Sequence, residues 1–283
     1  MKKLKTLFIA IMVIVTAVVA TAILAGCTKY EFTEAVVNRA EGQEEMYAFC
    51  VQKGNSTLLA QINAFFAKEE TKTLINKSLE YHEGDKGEGT QTPVDASILS
   101  DNTGKTITMV TEAGFAPYEY SGSGKGSVQG YVGLDVDLMI QFCEDNNYKL
   151  AIKDTEFDSI FLELGENKEE AVNYIGAAGI TIKPARKEKV DFATPYITTY
   201  QAIISSKENG YKTLDQLAGL NIGVQAGTTG QDIAEEYNKT AENDKKIKKI
   251  KDYSQVMQAF LDLKAGRIAA VIIDEAVAMQ LVK

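Results

Sequence analysis

The 283-residue sequence predicts an α/β fold with mainly parallel strands. Three observations carry this expectation. Short apolar runs alternate with amphipathic stretches from residue 105 onward, the pattern of strand–helix–strand units around parallel sheets. The hydrophobic fraction of 45% and charged fraction of 24% are ordinary for a globular chain. The length suits one large domain or two modest lobes.

In chain order, residues 107–110 read as a strand and 130–146 as a turn leading into an amphipathic helix, with Val136, Met139, Ile140 and Cys143 on one face. Residues 149–152 form a strand, 158–163 begin a helix, and 174–178 and 198–205 are strands. A strand at 221–224, helices at 231–238 and 255–263 and a strand at 269–273 follow. Gly122 to Ser127 reads as a hairpin tip and lacks the order and spacing of a P-loop. Cys50 and Cys143 read as buried inert thiols, since free cysteine packs as a small hydrophobe.

Charge and residue counts exclude several functions. The formal net charge is −9, and it falls to −12 when the three lysines of residues 1–26 are set aside. Such a chain lacks the basic footprint of a nucleic-acid binder. The single histidine, His82, placed at the edge of a polar linker, excludes a multi-histidine zinc site and a histidine-based triad. No cofactor and no metal are expected. Residues 1–26 read as an export signal, lysines followed by an apolar run. Leu24, Ala25, Gly26 and Cys27 look like a lipobox, so Cys27 is the expected lipidation site. The body then sits outside the cytoplasm, lipid-anchored at the cell membrane.

The string AAGITIKPARKEKVDFATPY, residues 177–196, sets Gly179, Thr181 and Arg186 at spacings suited to a small carboxylate. Glycine lets the backbone approach a ligand, threonine offers a hydroxyl donor, and arginine offers a planar fork that matches a carboxylate. Taken alone, a Gly, Thr and Arg at these spacings also fits a surface arginine after a buried strand. The whole string resembles the extracytoplasmic solute-binding proteins of polar amino-acid ABC importers. That resemblance implies a type II periplasmic-binding-protein fold and a site in which Gly179, Thr181 and Arg186 hold the ligand's α-carboxylate. It further implies that Glu112 and Phe115 of TEAGFAPYEY and Phe157 of TEFDSIF line the pocket. Gln225, Thr228 and Thr229 would close over the carboxylate from the second lobe, at a helix N-terminus that favours anions. Asp274 would hold the α-ammonium. Each phenylalanine also fits an ordinary core position, and Asp274 also fits a helix N-cap.

The chain order departs from the family's. The pieces expected after residue 283 resemble residues 30–78 instead: MYAFCVQKGN resembles the strand that returns to the first lobe, and STLLAQINAFF the helix that follows. The reading is a circular permutation, with a truncated gene carrying a stray fragment as its alternative. Residues 28–46 and 203–283 would form lobe 2, and 47–82 and 105–202 lobe 1 with the hinge strands. Residues 83–104 would be the linker, spanning roughly 25 Å as a flexible coil. The expected function is capture of an amino acid, polar or basic by the charge of Glu112, by a monomer that delivers it to a membrane ABC permease. An enzyme on the same fold (a prephenate or arogenate dehydratase, or a peptidoglycan lyase) and a ligand-sensing module are the alternatives.

Overall fold

The computed structural model describes Phe32 and residues 34–84, 92–165 and 169–283, without the side chains of 41–43. The export signal, Cys27 and residues 85–91 of the expected linker lie outside the described residues.

The chain enters a 13-residue strand, β1 (Ala35–Tyr47), turns at Ala48 and Phe49, and continues as β2 (Cys50–Gln52). Two helices, Ser56–Phe66 and Glu69–Glu83, follow. Asn55 starts the first by accepting the Leu58 N–H on its side chain, an ordinary N-cap. Leu58, Ile62, Phe65 and Phe66 bury its apolar face. Then come β3 (Thr106–Thr111), the short strands β4 (Gly114–Phe115), β5 (Glu119–Ser121) and β6 (Tyr131–Val132), and the helix Leu134–Asp145. β7 (Lys149–Asp154), a short helical stretch to Glu163, β8 (Tyr174–Gly176) and β9 (Val190–Phe192) complete one half. The other half holds β10 (Ile197–Ser206), β11 (Asn221–Gln225), β12 (Lys249–Tyr253) and β13 (Ala270–Asp274). Its helices are Thr229–Thr240, Val256–Lys264 and Glu275–Leu281.

Two five-stranded sheets result. One runs β7-β3-β8-β2-β9 and the other β1-β10-β13-β11-β12, and β4, β5 and β6 form a small antiparallel sheet. β3 is parallel to β7 and β8, and β11 to β12 and β13. β2 and β10 run against their neighbours. The chain passes between the sheets at Ala48–Phe49 and again between Phe192 and Ile197. All of β10 therefore belongs to the second sheet, and a lobe boundary at 202 and 203 falls inside a strand.

The segment before residue 84 is built into both halves. β2 lies inside the first sheet, with Cys50 opposite both Gly176 and Phe192. β1 pairs with β10 from Ala35 opposite Ser206 to Tyr47 opposite Ile197, with one register shift. The described part of the expected linker is packed. Residues Ala96–Asp101 form a 3-10 helix, Ala96 donates to the Lys125 carbonyl, and Asn102 donates to the Tyr148 carbonyl. His82 lies inside a helix, buried, with its ring nitrogens on Tyr120 and Asp137. Ser78 donates to the same Asp137 oxygen and not to the imidazole, so these residues pin a helix and do not arm a nucleophile. Cys50 and Cys143 are free and buried, and burial pushes both thiols up to about 12.

Deleting residues 29–80 removes an inner strand of one sheet, an edge strand of the other and four large apolar side chains worth about 1.5–3 kcal/mol each. We expect the truncated chain to lose cooperative folding in a thermal melt. A soluble truncation with a sharp transition would contradict the integration of this segment.

Candidate ligand site between the lobes

Parallel strands gather functional groups where they end, and ligands of open α/β sheets bind at the carboxyl edges of the strands. Glu112 follows β3, and residues 177–181 follow β8. Gln225 ends β11 and Asp274 ends β13. β1 runs in the same direction as β13, because both are antiparallel to β10, so its last residues, Glu45 to Tyr47, arrive at this edge too.

Arg186 is the centre of the arrangement. Pro184 starts the short helix Pro184–Lys187 that carries it, proline being pre-set for a first helical turn. The guanidinium is only 4% exposed in residue terms, beside the rings of Phe157 and Phe161 at 5.0 and 5.3 Å. It donates to the Thr181 carbonyl at 2.9 Å and, across the cleft, to the Gly227 carbonyl at 3.0 Å. Burial lowers its pKa, against the raising effect of Asp232, Glu45 and Asp274 nearby.

Gly179 has φ +51°, and an added Cβ would stand 2.8 Å from the Phe115 ring. That position requires glycine on both counts. Its N–H donates to Asp135, which also accepts the Tyr196 hydroxyl at 2.6 Å. Thr181 and Thr229 face each other across the cleft at 3.2 Å between hydroxyls. Gln225 donates to Glu112 at 3.0 Å. The Tyr47 hydroxyl donates to Asp274. Three of these contacts cross between the halves: Arg186 to Gly227, Thr181 to Thr229 and Gln225 to Glu112. Thr228 is turned away: its hydroxyl donates to the Gln225 carbonyl at 2.8 Å. Asp274 makes no side-chain cap on the helix it precedes, so the capping role open in the sequence is not taken up. Phe115 and Phe157 are buried at the cleft walls, Phe115 stacked on Tyr118.

Sequence reasoning missed Glu45, Tyr47, Asp135 and Gln201. Glu45 is buried, and one of its oxygens accepts from Thr181 at 3.0 Å and from Gln201 at 3.1 Å. Its other oxygen has no hydrogen-bond partner. Its strand, AVVNRAEGQEEMY, is rich in charged and polar residues, so nothing local sets Glu45 apart from Glu41 and Glu44.

Four buried acids of this region are held toward their neutral forms. Asp274 is pushed up to about 8, first by burial and then by Glu45. Burial also raises Glu112 to about 7 and Asp135 to about 6, and it lifts Glu119 well above the carboxylate range. Among the described residues no cluster of His, Cys, Asp or Glu is arranged to hold a metal ion. Among them, too, no helix is long and apolar enough to cross a membrane.

An ordinary aspartate ionises near 3.9. Between that value and about 8 the folded form binds more protons at Asp274 than the unfolded chain, so stability falls as pH rises through this window. We expect Asp274→Asn to raise the melting temperature of the ligand-free protein at pH 8 and to leave it unchanged near pH 4. About 1 kcal/mol corresponds to about 2–4 °C in a chain of this size. A lower melting temperature at pH 8 would contradict the strain assigned to this carboxylate.

With this geometry in place, similarity to known proteins can be read. The model of the bacterial extracellular solute-binding proteins, family 3, matches residues 107–269. The arginine-binding extracellular protein ArtP of Bacillus subtilis is 30% identical over 183 residues, 63% of this chain and 65% of ArtP. ABC transporter arginine-binding protein 1 of Escherichia coli is 31% identical over 177 residues, 62% of this chain and 66% of that one. The chain thus spans slightly less than two thirds of either relative. The structure of an ancestral arginine-binding protein bound to arginine aligns with TM-score 0.54 and 33% identity, covering 62% of this chain and 72% of that one. Glu45, Tyr47 and Asp274 lie outside the residues matched by the family model. The chain belongs to the bacterial extracellular solute-binding proteins, family 3.

Proposed function

We propose that this protein captures an amino acid between its lobes and delivers it to an ABC permease, held at the outer face of the membrane by lipid on Cys27. One observation carries the reading. Arg186 is a cation buried between two lobes, and among the described residues its hydrogen-bond acceptors are two carbonyls and no carboxylate. A buried guanidinium is costly unless a matched anion meets it, and a ligand carboxylate supplies that anion bidentately. Thr181 and Thr229 would add donors from each side, and the N-terminus of the helix Thr229–Thr240 would favour the same charge. Asp274 would take the α-ammonium.

The ligand's side chain would enter a cavity of about 390 Å³ lined by Glu112, Asp154, Glu156, Ser254, Gln255 and Gln258. Three carboxyl groups and several amide and hydroxyl groups suit a polar or cationic side chain. The arginine named for the relatives above agrees with that lining. We also read the chain order as a circular permutation, because the segment before residue 84 supplies β1 and β2 to the two sheets. The relatives are named as binding proteins, and we propose binding without turnover for this chain.

The test is a thermal-melt screen of residues 28–283 against the twenty amino acids, cystine and prephenate. A ligand at about 100 times its Kd should stabilise the protein by about 2.7 kcal/mol. We expect a selective upward shift with a polar or cationic amino acid, its loss in Arg186→Ala with the fold retained, and no consumption of prephenate. Unchanged affinity in Arg186→Ala would overturn the site, and turnover of prephenate would overturn the binding-only reading.

A further inference from the structure

We propose that Glu45, together with Asp274, forms a two-carboxylate receptor for the ligand's α-ammonium, and that Glu45 makes the site selective for amino acids over carboxylates lacking the amine. The inference rests on the proposed function and assigns a further residue to it, one supplied by the segment that precedes the matched family region.

Three observations converge on Glu45. The side chain is buried at the carboxyl edge of β1, 6% exposed, and among the described residues one carboxylate oxygen has no N–H or hydroxyl donor, its near neighbour being the Asp274 carboxyl. A buried acceptor without a donor is costly, and a charged one more so. Its bonded oxygen is tied to both lobes' site residues, accepting from Thr181 beside Arg186 and from Gln201 opposite Asp274. Finally, Glu45 lies close enough to Asp274 to raise its pKa, and both lie close enough to Arg186 to act on it. Two carboxyl groups and one guanidinium brought together at one edge are the mirror image of a zwitterion: the carboxylate goes to the arginine and the ammonium to the acids.

An ammonium suits this pair because it carries three N–H donors on one compact charge. Asp274 already accepts from Tyr47, and Glu45 from Thr181 and Gln201, so each acid is fixed in orientation before the ligand arrives. The unpartnered Glu45 oxygen then accepts one ammonium N–H and Asp274 another. A carboxylate without an amine would leave both acids facing one another with no cation between them. Uncompensated polar groups of this kind give discrimination far larger than a lost apolar contact.

The experiment uses the released chain, residues 28–283, which contains every described element, in wild-type and Glu45→Gln forms. L-arginine, L-histidine and L-glutamine are titrated calorimetrically, each beside its des-amino analogue. Glutamine keeps the size and one acceptor, so the variant should melt at or above the wild-type temperature. The wild type should prefer one amino acid over its des-amino analogue, and Glu45→Gln should narrow that preference by at least about tenfold, as loss of a charge-assisted hydrogen bond would. An equal loss of affinity for both members of the pair would make Glu45 a positioning group and overturn the proposal, as would an unchanged preference. Binding of none of the three amino acids by the wild type would overturn the proposed function, and the Glu45 assignment with it.

Discussion

A guanidinium buried between two lobes constrains the rest of this molecule. Arg186 can sit there only because its surroundings supply oxygen acceptors from both sides and aromatic faces beside it. The backbone that presents it is fixed by Gly179 in a left-handed conformation, tied by its N–H to Asp135 and packed against Phe115. Asp135 sits in the first turn of its helix, where a negative charge is favoured, and holds Tyr196 just ahead of β10. One aspartate thus links the loop that leads to Arg186 to the crossing between the sheets. Short polar contacts, Thr181 to Thr229 and Gln225 to Glu112, then join the two halves.

The same site concentrates acid. Glu45, Glu112, Glu119, Asp135 and Asp274 are all buried. Four of them are held above the ordinary carboxylate range, with burial the largest cause in each case. This is a poor way to stabilise a resting fold and a good way to prepare for a cation, since a positive group entering the site relieves the cost that burial imposes. Stability and the proposed binding are therefore coupled in sign: burial of these acids weakens the fold as pH rises, and an ammonium bound as proposed would gain from the same acids.

Local chemistry made much of this legible in the sequence. The string 177–196 holds its glycine, threonine and arginine within ten residues, and the strands that precede Glu112, Gln225 and Asp274 are apolar runs ended by a polar group. What escaped depends on distant pairing. Glu45 meets Thr181 across 136 residues, and Tyr47 meets Asp274 across 227, contacts that no periodicity reports. β12 escaped because its sequence, KIKDY, is an exposed edge strand whose charges guard an open edge instead of packing a core. The linker looked loose by composition, yet Ala96 is held by a backbone bond to the hairpin and Asn102 by side-chain bonds to the Cys143 and Tyr148 carbonyls. His82 looked peripheral for the same reason, its partners Asp137 and Tyr120 lying 55 and 38 residues away.

In the site proposed above, segments from both ends of the chain compose one amino-acid pocket. A crystal structure of residues 28–283 grown with the amino acid that stabilises it most tests this directly. The account predicts the ligand carboxylate on Arg186, with Thr181 and Thr229 beside it, and the ammonium between Asp274 and Glu45. A ligand bound elsewhere, or one seated in the cleft with its ammonium turned away from the residue contributed by β1, would contradict it.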